Sequence, residues 1–166
     1  MDFLQTAAEW AWARHHNVLS WYIRPLFLIP FCYFAYRRSL VGIFATLFAL
    51  LTSMFWFSVP EHVAPAVLTA LQAEKDYLLG PWAAWKVAIA LLVPLSLAGL
   101  AAAFWRRSFM IGVIVINAIA VLKLVWTFGF LGSEAGFALL VPALTGLAIC
   151  NAAVIWWLRR RKEQHQ

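Results

Sequence analysis

Arg24, Lys123, Glu61, His62 and Glu134 are the residues of this chain that apolar packing explains least. Arg24 and Lys123 sit inside long apolar runs, where an ionisable group is expensive and usually faces the protein interior or a water-filled recess. Measured at about 1.5 Å per residue from the nearest arginine pair, both fall in the part of their runs remote from those pairs. Glu61, His62 and Glu134, with Glu74 and Asp76, gather at the ends of apolar runs on that same side. Together they predict a charged vestibule, with Arg24 and Lys123 favouring an anion or a lipid phosphate.

Two other chemistries attach to the same residues. Glu61 and His62 are acid/base candidates for a lipid-headgroup enzyme, although no nucleophile or metal motif stands beside them. His15 or His16 brought near Glu61 and His62 would offer imidazole and carboxylate to a divalent metal. Their spacing fits no motif, so no metal is expected. Haem would need axial histidines within the bundle, whereas all four His lie at run ends or in the tail; no cofactor is expected. Phosphate-binding loops, HExxH, GxSxG, CxxC and EF-hand patterns are absent from the sequence. Cys32 and Cys150 each lie in an apolar run and read as packing residues. Asn117 and Asn151 lie at similar depth in separate runs, which predicts an interhelical hydrogen bond.

The elements that must hold these residues follow from composition. A chain of 166 residues that is 64% hydrophobic and 12% charged, with mean hydropathy +0.81, needs a bilayer as its solvent. The reading is a single all-α domain, a polytopic transmembrane helical bundle of about five spans, near residues 18–36, 40–59, 82–105, 109–131 and 135–158. Pro25 and Pro30 predict a kinked first span. Residues 1–17 lack the basic start and long apolar run of a cleavable leader and are expected to stay at the outer interface. Residues 65–79 read as an outer interfacial helix, started by Pro65 and stopped by Gly80 and Pro81, with Val67, Leu68, Leu71, Leu78, Leu79 and the stem of Lys75 on its lipid-facing arc. Lys86, one turn inside the next run, is expected to snorkel to the outer headgroups.

Arg37, Arg38, Arg106, Arg107, Arg159, Arg160, Arg161 and Lys162 fall on one side of a five-span chain, against Arg14 and Lys75 on the other. The positive-inside rule then places the N-terminus outside and residues 159–166 as a cytoplasmic tail, in an inner or plasma membrane. The net charge of +6 belongs to these lipid-facing blocks rather than to a nucleic-acid surface. Pro25-Leu-Phe-Leu recurs as Pro94-Leu-Ser-Leu, and Arg37-Arg-Ser recurs as Arg106-Arg-Ser at the same offset. These matches suggest a tandem parallel hairpin repeat, spans one and two with three and four, plus a fifth span. The leading functional expectation is a small transporter or channel-like protein for an ion or small polar solute. The alternative is a non-catalytic accessory subunit of a larger membrane complex, and the lipid-headgroup enzyme ranks third. Expected partners are the lipid bilayer and either a second copy of the chain or another membrane protein.

Overall fold

The computed structural model describes residues 3–163, the side chains of residues 4, 131, 134, 135, 161 and 162 excepted. Every regular element among them is helical: α1 (Phe3–His15), α2 (Leu19–Leu26), α3 (Leu28–Tyr36), α4 (Leu40–Thr52), α5 (Pro65–Leu79), α6 (Ala84–Trp105), α7 (Phe109–Trp126) and α8 (Gly132–Glu163). A 3-10 turn, Ser53–Phe55, extends α4, and a π turn, Thr127–Leu131, extends α7.

Ala84–Trp105, Phe109–Phe130 and Gly136–Arg160 are long and apolar enough to cross a membrane, and the bent pair Gln5–His15 and Leu19–Tyr36 would make a fourth crossing. Only 17–22% of the most apolar window in each long helix is buried by protein. At such hydropathy the remaining surface needs a lipid environment. The run from residue 40 stops short of its expected length. Its helix ends at Phe55, about 24 Å at 1.5 Å per residue against a hydrocarbon core of about 30 Å. Thr52 and Ser53 turn their hydroxyls back onto the carbonyls of Phe48 (2.9 Å) and Leu50 (2.7 Å). Tightening to 3-10 geometry follows, and Pro60 lies ahead.

The first apolar run is broken, as its prolines require. Pro30 has no N–H to offer the carbonyl of Leu26, and the helix divides at Phe27 between α2 and α3. The Cys150 thiol donates to the carbonyl of Pro25 at 3.3 Å, tying this break to α8. Asn17 builds a sharper corner: its Oδ1 accepts from the amide of Leu19 (3.1 Å) and its carbonyl accepts from the Ser20 hydroxyl (2.8 Å). Its Nδ2 also donates to the carbonyl of Ser58 at 3.0 Å. Beyond this corner α1 lies at 87° to Leu19–Tyr36.

Two turns share one construction. After α3, Arg38 takes φ +56, and after α6, Arg107 takes φ +59. In the first, the amides of Ser39 and Arg38 donate to the carbonyls of Phe34 and Ala35; in the second, those of Ser108 and Arg107 donate to Ala103 and Phe104. This is the Schellman pattern, with arginine where glycine is usual. Arg38 Nε donates to the carbonyl of Trp105 at 3.3 Å, which joins the two turns. Around this arginine end, Tyr36, Phe104 and Phe109 pack on Trp157.

Each turn also places a glycine against a phenylalanine. A Cβ on Gly42 would lie 2.2 Å from Phe34, and one on Gly112 would lie 2.5 Å from Phe104. Phe104 is fully buried and has little room to yield. Gly112→Ala is therefore expected to lower stability in detergent by about 1–3 kcal/mol through overpacking. A second change, Phe104→Leu, should recover part of that loss, and unaltered thermal unfolding of Gly112→Ala would show that the contact is not tight.

The main core joins α3, α4, α6, α7 and α8 through Phe31, Ala35, Ile43, Phe104, Ile116 and Cys150. A second, smaller core lies at the end remote from the arginine turns, where Trp21 meets Val67, Ala70 and Leu71 of α5. Here the expected arc of α5 is corrected. Val67, Ala70 and Leu71 are buried, while Leu68, Lys75, Leu78 and Leu79 are exposed. Spacing of three and four residues continues the buried stripe to Glu74 rather than to Lys75.

Candidate functional site

Next to this second core, four helices bring ionisable side chains together. His15 ends α1 and is 2% exposed; Arg24 stands in the last turn of α2. Arg24 Nη2 lies 3.3 Å from His15 Nδ1. A guanidinium only donates, so Nδ1 must accept and the ring proton is assigned to Nε2. That Nε2 faces Glu74 Oε2 of α5 at 3.6 Å. His15 thus stands as a bridge between the cation of α2 and the carboxylate of α5.

Lys123 of α7 completes the group. Its charge acts on both Arg24 and Glu74, although no direct ion pair joins them among the described residues. The Lys123 side chain itself is exposed. One turn further on, α7 widens into the π turn, and the buried Thr127 hydroxyl donates to the carbonyl of Lys123 at 2.8 Å. Turns of this kind occur often at functional sites.

Burial pushes the Glu74 carboxyl up, but the His15 ring and the charges of Arg24 and Lys123 outweigh it and hold the group below its ordinary 4.5. Glu74 is thus the internal counter-ion of the cluster.

Two other sequence-derived candidates lie elsewhere. Glu61 and His62 are exposed on the connection between α4 and α5. His15, which that reading brought towards Glu61, faces Glu74 instead, while His16 Nδ1 lies 2.8 Å from the carbonyl of Trp12. Among the described residues no group of three or more His, Cys, Asp or Glu is arranged to hold a metal. The side chain of Glu134 lies outside the described residues. Asn117 and Asn151 meet across α7 and α8: Asn117 Nδ2 donates to Asn151 Oδ1 at 3.1 Å, with the reciprocal contact at 3.4 Å. Each amide also donates to the carbonyl four residues earlier, Val113 or Leu147. Both side chains are occupied by this pairing.

No family model, curated protein or solved structure matches the chain.

Lys86 departs from the expected extension towards headgroups. It is 3% exposed and folds onto the end of α5, donating to the carbonyls of Tyr77 and Gly80, the latter at 3.1 Å. Its ammonium lies 4.5 Å from the Tyr77 ring centroid and 4.7 Å from that of Trp82. The C-terminal end of α5 is thereby held to the start of α6. Sequence reading counted Glu74 among the acids of the vestibule and set His15 beside Glu61, but did not pair the two with each other. Glu74 was findable as the fourth position of a Val67, Ala70, Leu71 stripe. The His15 contacts depend on the corner at Asn17, for which helical periodicity carries no signal.

Proposed function

We propose that this chain is a five-span inner-membrane protein, N-terminus outside and C-terminus in the cytoplasm, that binds and transports an ion or small polar solute at the His15–Arg24–Glu74–Lys123 cluster. The observation that carries the reading is the convergence of ionisable side chains from α1, α2, α5 and α7 at one end of an otherwise apolar bundle. Intramembrane ionisable groups that face one another rather than lipid mark solute and ion paths. The orientation rests on the positive-inside rule applied to Arg37, Arg38, Arg106, Arg107 and the basic tail. Leu40–Phe55 is taken as a short second span, accommodated by local thinning of the bilayer. A tandem repeat of the α3–α4 and α6–α7 hairpins is supported by their matching Schellman turns and matching Phe–Gly contacts.

Flux assays in proteoliposomes, run over a panel of small ions and polar solutes, test the reading. Wild-type protein should pass at least one solute, and Arg24→Ala or Lys123→Ala should cut that flux at least about tenfold, because each removes a charge-assisted contact. Impermeable vesicles, together with a stoichiometric membrane partner in mild-detergent purifications, would replace transport with the accessory role.

A further inference from the structure

Among the described side chains the cluster is unbalanced: Arg24 and Lys123 supply two cations and Glu74 one carboxylate, with His15 standing between Arg24 and Glu74. It is also loosely joined. Glu74 makes no direct ion pair with either cation, and the Lys123 ammonium has no hydrogen-bond or ion-pair partner among the described residues. Arg24 commits one of its donors, to His15. On the same face of α7, three residues beyond Lys123, the buried Trp126 Nε1 is a donor without an acceptor. A buried donor without an acceptor, beside uncompensated positive charge, is costly unless something carrying negative charge and acceptor oxygens meets it.

Resting on the solute-binding reading above, we propose that the cluster is an oxyanion site, which seats a phosphate or carboxylate group between Arg24 and Lys123 while Glu74 acts as the competing internal anion. A cation entering here would meet two like charges. A neutral solute would leave the excess uncompensated. A planar or tetrahedral oxyanion matches the fork of donors on arginine and the point charge of lysine. The shared chemistry admits two sources, a free anion or the phosphate of a lipid headgroup.

The test uses the full chain in nanodiscs of phosphatidylcholine. Inorganic phosphate is titrated as the free probe, and added phosphatidylglycerol is followed by native mass spectrometry as the lipid probe. At least one should bind the wild type: phosphate binding assigns a free anion, and retained phosphatidylglycerol assigns the headgroup. Lys123→Gln should weaken that binding about tenfold or more, since a hydrogen bond to a charged group is lost. Glu74→Gln should tighten it several-fold, and Lys75→Gln, on the exposed face of α5, should leave it unchanged. Opposite responses of Lys123→Gln and Glu74→Gln cannot arise from general misfolding. Failure of folded wild type to bind either probe, or loss of binding in Glu74→Gln, would overturn the oxyanion assignment. If vesicles nonetheless pass a cation or neutral solute in an Arg24-dependent way, the anion assignment falls while solute transport stands. Oxyanion binding with the expected signs but without flux does the reverse.

Discussion

Lys86→Met should lower stability by about 2–4 kcal/mol and loosen the end of α5 ahead of the rest of the bundle. Methionine keeps the stem and its volume, so the loss isolates the ammonium. Two carbonyls at the C-terminal end of α5 would lose a charged donor, at a place where the helix dipole favours positive charge. The Tyr77 and Trp82 rings would lose the cation between them. Water can reach freed carbonyls at this end of the chain, which keeps the total below the sum of the separate contacts. Amide hydrogen exchange at residues 76–80 and thermal unfolding provide the readouts. Lys86→Arg should retain part of the effect, and full protection of those amides in Lys86→Met would show that α5 is held by its apolar stripe alone.

Glu74→Gln should cost about 1–2 kcal/mol near neutral pH in the absence of anions. Losing the charged partner of the His15 ring costs about 1.5–3 kcal/mol, but the Glu74 side chain keeps 38% exposure, and solvent screening reduces the figure. The pH dependence separates charge from shape. Because the folded protein holds this carboxyl below its ordinary 4.5, its stabilising share is complete above that value and is lost as the pH falls below it. Wild type should therefore show an acid limb in its unfolding curve that Glu74→Gln flattens. Equal steepness in the two proteins would place the acid sensitivity elsewhere.

These two residues also mark what could be read in the sequence. The apolar runs at 82–105, 109–131 and 135–158 announced long helices, because hydropathy alone decides which segments tolerate lipid. The break of the first run was equally legible, since Pro25 and Pro30 remove backbone donors wherever they fall. The face of α5 was not. On a helix between protein and lipid both sides are apolar, so Leu68, Leu78 and Leu79 pulled the inferred arc towards Lys75 and away from Glu74. The charged cluster was half legible: Arg24 and Lys123 stood out against apolar neighbours, whereas His15 joins them only because Asn17 turns α1 through nearly a right angle. The π turn after Lys123 left no compositional trace, and Gly132, at φ +85, showed only where helical geometry ends.

The bond from Arg38 to the carbonyl of Trp105 gives the two hairpins a fulcrum. With that end clasped and packed around Trp157, a relative tilt of α3 and α6 must pivot there and grow with distance. Helix α6 has 22 residues, so its far end lies roughly 33 Å from the fulcrum and a 5° tilt would sweep it through about 3 Å. That is the width of a water molecule, at the end of α6 where Lys86 holds the last turn of α5.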